Sequence, residues 1–401
     1  MRALQAFRRD VAGSAAIVFA VASVPMTAVV AGAVDFSKAY AVQMKLQAEA
    51  DAAALRVSNM GALATGAQRL SAAQAMFTDA SAGSPAVTVA WDGQTTTVTA
   101  SLDVRTSMLG IAGIATIPAR VKSSAKPTRS GPSSCVLALN GSASGAITIS
   151  GSSTLAADGC ALYSNSASPS AISIQGGAVV SAAGFCAVGG VAGGTGLTPA
   201  PLTGCFPVSD PFAALPAASG SGCAYNNMQV QPNQNKALGP GVYCGGLTIK
   251  GTVTLSPGVY IIKDGPLTLN SQGSVSGSGV TFYMTGSNAG FTLNAGGTIT
   301  LSAPTSGTYS GMLLVQDKAS NVGAGNTLNG GANMTLTGAI YTPTQTLTLN
   351  GGSSFGQSSA FMPIIADQIK FAGSTTTRVD TSKMQPSQPL ATLQNGSKLV
   401  Q

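Results

Sequence analysis

The residues able to do chemistry are few. The 401-residue chain has no His, one glutamate, Glu49, and twelve Asp scattered singly. Sugar hydrolysis by paired acids needs two carboxyls roughly 5–9.5 Å apart, and proton transfer most often uses His. In the C-terminal part the acids are Asp158, Asp210, Asp264, Asp317, Asp367 and Asp380, and the first five follow at intervals of 52, 54, 53 and 50 residues. If two turns of a repeating coil took about that many residues, they would line one edge. Lone Asp beside Gly are, however, ordinary turn residues. The expectation is a protein that is not an enzyme, with no catalytic residue, cofactor or metal.

The other reactive set is Cys135, Cys160, Cys186, Cys205, Cys223 and Cys244. Their number is even, they share one stretch, no pair has CxxC spacing and no His accompanies them. That pattern disfavours zinc and dithiol redox chemistry and favours disulfides in an oxidising compartment, with the connectivity left open.

Composition bounds the elements that carry these residues. Only 8% of the chain is charged and 5% aromatic, with 50 Gly, against about a quarter charged in an ordinary soluble protein. Residues 1–130 hold 12 basic and 7 acidic groups, and residues 131–401 hold 8 and 6, so the formal charge of +7 is mostly N-terminal. No basic cluster with interleaved aromatics exists to follow a nucleic-acid backbone, so no nucleic-acid partner is expected.

The first element is an uncharged run of 24 residues, Val11 to Val34. About 20 apolar residues span a bilayer core, and Pro25 is tolerable in such a helix. Arg2, Arg8 and Arg9 precede the run and hold residues 1–10 in the cytoplasm by the positive-inside rule. Residues 11–34 are thus expected to be a transmembrane helix in contact with the lipid bilayer. The rival reading is a signal peptide cut near Ala31-Gly32-Ala33, although the run exceeds a usual apolar core. Either reading exports the rest of the chain.

Residues 35–122 read as a small α+β unit. Ala39, Val42, Leu46, Ala50, Ala53 and Val57 share one helical stripe, with docking on the unit's own sheet or on a partner helix both open. Alternating segments at 86–91, 97–104 and 116–121 make a three-strand meander, with an apolar stretch from Met108 to Ile114 between the last two.

The segment Phe7-Arg8-Arg9-Asp10-Val11-Ala12-Gly13-Ser14, the exit Val34-Asp35-Phe36 and the stretch Leu46-Gln47-Ala48-Glu49-Ala50-Asp51-Ala52-Ala53-Ala54-Leu55 resemble TadG-type Flp pilus-assembly proteins. Glu49 stands where Ala is usual. The resemblance implies a bacterial envelope protein tied to a tight-adherence (Flp/Tad) pilus, with other pilus-assembly proteins as partners. Related pseudopilins are cut after a Gly and carry Glu five residues beyond. Here Gly13 is followed at that distance by Val18, so no such cleavage is expected. The D-x-S-x-S metal site of some family members is absent.

Residues 123–134, rich in Ser, Pro, Lys and Arg, read as a linker. Beyond them, runs such as Ala171-Ile172-Ser173-Ile174-Gln175-Gly176, Leu267-Thr268-Leu269-Asn270 and Leu347-Thr348-Leu349-Asn350-Gly351 alternate apolar and hydroxyl residues and stop at Asn or Gly. One such strand cannot bury its apolar face alone, but coil stacked on coil can. Residues 135–380 are therefore expected to form an all-β, right-handed parallel β-helix of about eleven sequential coils. An antiparallel β-sandwich is the alternative fold, and 381–401 are expected to be a disordered tail. The functional expectation is a structural or assembly protein in the bacterial inner membrane, its bulk in the periplasm. The alternatives are an adhesin with a surface or glycan ligand and, remotely, a polysaccharide-degrading enzyme.

Overall fold

The computed structural model describes residues 12–78, 83–271, 273–320, 325–330, 334–351, 354–355, 362–379, 390 and 392–400. The chain forms two compact units, one of residues 1–60, 64–128 and 396–401 and one of residues 61–63 and 129–395.

The first unit begins with one helix, α1 (Ala12–Ser58). Its stripe of small apolar residues packs on the unit's own sheet. Ala39, Leu46 and Ala50 meet Ala100, Val104, Ala119 and Val121, while Ala53, Ala54 and Val57 meet Val98 and Ala125. Small side chains let helix and sheet approach closely, which settles what the stripe faces. A second helix, α2 (Gly66–Gln74), starts at a reciprocal capping box between Thr65 and Gln68. The sequence reading missed this helix, although Thr-x-x-Gln is a start signal. Its buried Arg69 donates to the Val57 carbonyl at 3.3 Å and lies 4.1 Å over the Trp91 ring, closing the end of α1. The sheet is the expected antiparallel meander of β1 (Ala86–Trp91), β2 (Thr96–Arg105) and β3 (Thr116–Ala138).

Residues 123–134, expected to be a linker, are extended within β3: its residues up to Ala125 continue the ladder with β2, and the division between the two units falls between 128 and 129. In the tail, Thr392–Val400 is a strand, while 380–389, 391 and 401 lie outside the described residues.

Among the described residues, no helix is long and apolar enough to cross a membrane. Residue 11, and the side chains at 12–17, 24, 25 and 28 of the expected span, lie outside the described set. What the structure shows over 18–34 is helix with exposed apolar side chains, among them Phe19, Met26, Val29 and Val30.

The second unit is a coil of parallel strands. Every described strand pair that lies within it is parallel, so it is not an antiparallel sandwich. Each turn visits three columns of strands, and apolar residues at alternate positions fill the interior, as with Leu269, Leu293, Leu328 and Leu349. At one end Tyr225, Tyr243, Tyr260 and Phe282 stack with ring centroids 4.5, 5.8 and 5.4 Å apart. Tyr243 and Tyr260 end the two Pro-Gly-Val-Tyr repeats, and the Tyr260 hydroxyl donates to Leu238 and Ser256.

The stacking order is not the chain order. One outward row runs Gln229, Thr248, Thr268, Thr292, Thr327, Thr348, Lys370 and then returns to Thr148, Ser173 and Ala192. The other two columns make the same return, Ile364 pairing with Val136 and Thr377 with Leu155. The turns before Ala192 therefore seat on the last-made turns rather than on the next ones, which corrects the expected sequential run. At about 4.8 Å per rung these ten rungs span roughly 43 Å. Residues 204–222, expected to be coil, instead return the chain to the far end of the stack. This stretch and its approach contain Pro199, Pro201, Pro207, Pro211 and Pro216, which cannot donate to a ladder.

Candidate functional site

Three features stand out: a clasp beside the apolar half of α1, a strap along the coil, and a flat polar row.

The clasp begins with Asp35, on α1 just past the apolar run and buried. Its carboxylate accepts from the backbone N–H groups of Ser107, Met108 and Leu109 at 2.8, 2.8 and 2.7 Å. The N–H donors of Leu109 and Ser107 above all hold its pKa below the usual Asp value. The loop so held turns through a 3-10 segment, Leu109–Ala112, and leaves through Gly113 in the left-handed region at φ 87°. One wall of the resulting groove, about 760 Å³, is Met26, Val30, Ala31 and Val34 of α1, and the other is Met108, Leu109 and Ile111.

The strap is held at both ends by disulfides. Cys186–Cys205 closes one end and Cys223–Cys244 the other, while Cys135–Cys160 joins neighbouring turns, with Cα separations of 6.0, 5.6 and 5.6 Å. All six cysteines are paired, first with second, third with fourth and fifth with sixth along the chain. Between these ends the coil grips the strap mostly through its backbone. The Tyr163 hydroxyl donates to the Phe206 carbonyl, the Asn165 side chain pairs with both N–H and C=O of Val208, and the Tyr309 hydroxyl donates to Pro216. Lys318 donates to Ala213, and the Tyr341 hydroxyl to the Asp210 carboxylate. Burial raises the pKa of Tyr283, Tyr309 and Tyr341, and Asp210 adds to the rise at Tyr341. Beneath the strap, Val208 and Phe212 join Leu137, Tyr163, Tyr341 and Ile365 in a second apolar core outside the coil.

Of the spaced acids, Asp210, Asp264 and Asp317 lie between strands, whereas Asp158 and Asp367 lie within strands. Asp264, at φ 54°, accepts from Ser287 N–H. Asp317 accepts from Thr285 Oγ1 and Ala319 N–H, and Asp367 from Asn140 Nδ2. The pairing of Met284 with Gln316 and of Ala366 with Thr342 puts Asp317 and Asp367 two turns apart on one edge, or roughly 10 Å. That is at the outer limit of the roughly 5–9.5 Å at which two carboxyls share one glycosidic bond. The Asp158 side chain and Asp380 lie outside the described residues. Among the described residues no group of three metal-ligating side chains occurs.

The polar row is the outward face carrying Thr268, Thr292, Thr327 and Thr348. Two residues on, Asn294 Nδ2 donates to Asn270 and Asn329 Nδ2 to Asn294, at 3.4 and 2.6 Å. Repetition at the strand spacing makes this a flat, uncharged lattice of hydroxyls and amides.

Residues 13–69 match the family described as putative Flp pilus-assembly TadE/G-like, and residues 213–383 match one described as a domain of unknown function (DUF7305). No curated protein and no solved structure matches the chain.

Proposed function

From a chain whose N-terminal segment is TadE/G-like, we propose a structural or assembly protein of a Flp/Tad pilus system, anchored in the bacterial cytoplasmic membrane. The observation that carries this reading is the family match over 13–69 on the same helix that exposes Val18, Phe19, Val21, Met26, Val29 and Val30. Exposed apolar side chains in such density need an apolar solvent, and residues 11–34 are assigned to lipid. Arg2, Arg8 and Arg9 keep the N-terminus inside, and everything beyond Asp35 lies in the periplasm or outside. The three disulfides support that placement, since such bonds persist in oxidising compartments. The coil is right-handed, the hand that parallel crossovers adopt. It serves as a spacer rather than a catalyst, and its partners are other pilus-assembly components.

The test is deletion of the gene, followed by imaging of pili and measurement of attachment. Loss of surface pili with the protein fractionating to the inner membrane supports assembly. Normal pili in the deletion strain would remove the reading. A second reading, an adhesin, is favoured by the flat Thr and Asn lattice, which suits a neutral glycan surface. Recovery of the protein with sheared pili, and attachment lost while pili persist, would select it.

A further inference from the structure

Resting on the membrane reading of α1, we propose that the loop Met108–Ile114 is a second membrane contact. It inserts beside α1 on the side where the chain leaves the bilayer, and lipid acyl chains fill the groove between them. The apolar character of this loop is directed outward. Ile111 is 89% exposed, Met108 51% and Ile114 50%. On a water-facing loop such exposure has no compensating contact.

Position fixes the depth. Asp35 holds the loop's backbone at the helix exit, while the loop's side chains face Met26, Val30 and Val34 across the groove. Helical rise of about 1.5 Å per residue puts Met26 about 12 Å further along the axis than Val34. A loop beside that stretch is at the same depth as the stretch itself. If residues 26–34 are in hydrocarbon, Ile111 is too.

Five of the loop's seven N–H donors are satisfied internally, as lipid requires of irregular backbone. Ser107, Met108 and Leu109 give their N–H groups to Asp35. Ile111 gives its N–H to Met108, Gly113 to Gly110 and Ile114 to Leu109. The rim carries the complementary charge. Lys38, which donates to the Arg105 carbonyl, and Arg105 itself are exposed cations where phosphate headgroups would lie. Phe36 and Tyr40, 63% and 66% exposed on the next turns of α1, are placed as interfacial aromatics. A protein helix would fill the groove equally well by shape, but it would not call for the cationic rim.

The experiment uses the full chain in liposomes of phosphatidylcholine and phosphatidylglycerol with brominated acyl chains, which quench tryptophan on contact. In a Trp91→Phe background, Ile111→Trp places the only tryptophan in the loop, and Val21→Trp places it in the apolar part of α1. Both sites are exposed, so both variants should fold, checked by circular dichroism. The expected result is blue-shifted emission and strong quenching at both positions. Quenching at 21 with water-like, unquenched emission at 111 would overturn the loop contact and leave the anchor standing. Absence of quenching at both would overturn the anchor, and the loop contact with it.

Discussion

At the scale of single residues, the structure turns on groups that hold backbone in place. Asp35 is a helix residue whose carboxylate organises a loop some seventy positions later. Its folded pKa is depressed, so its contribution is whole above the ordinary Asp value of about 3.9 and is lost as pH falls through the lower folded value. Asp35→Ala should therefore speed amide exchange at Ser107, Met108 and Leu109 at neutral pH, and the wild-type chain should show the same change only in acid. Gly151 is the counterpart in the coil. It sits at φ 75°, and a Cβ there would meet the Gly373 carbonyl oxygen at 2.4 Å. That contact is on the seam where the returning turn meets the first one. Gly151→Ala should cost about 1–3 kcal/mol, read as a lowered denaturation midpoint. Glycine at 151 is plain in the sequence as a turn residue, but its contact with 373 is not.

At the scale of elements, the strap is a segment with little secondary structure held by side chains reaching out from the coil. Tyrosine hydroxyls are among its main donors, and burial raises the pKa of two of them, Tyr309 and Tyr341, with Asp210 adding to the rise at Tyr341. A raised folded value means stability that is complete below the unfolded Tyr value of about 10 and falls as pH rises above it. The strap should therefore loosen in alkali, seen as faster proteolysis within 206–222 above that pH. Tyr341→Phe removes the donor to Asp210 and should cost about 1–3 kcal/mol at neutral pH, measured by denaturant unfolding. The strands themselves were legible, because alternation in Leu-Thr-Leu-Asn has the period of a sheet. The strap is not legible as such, although Pro207, Pro211 and Pro216 interrupt the alternation there.

At the scale of the whole molecule, the unusual property is that the coil closes out of order. Residues 213–383 match one family, yet the strand Ile364–Phe371 of that stretch takes its outer partners from 136–138 and 147–149. A chain of 213–383 alone would expose that strand edge. Exposed edges recruit other edges, so this fragment should self-associate, seen by light scattering, while the full chain should not. The sequence by itself determined the local content: an apolar helix with basic residues before it, a small meander, six cysteines suited to pairing, and short strands that need stacked neighbours. These follow from periodicity and composition, which act over a few residues. Only the tertiary structure decided which turn lies on which, which cysteines meet, what the acids hold, and where the loop at 108–114 lies. Each of those is a contact between residues distant in the chain. Any apolar strand of the right length fits many neighbours, so periodicity could not choose among them.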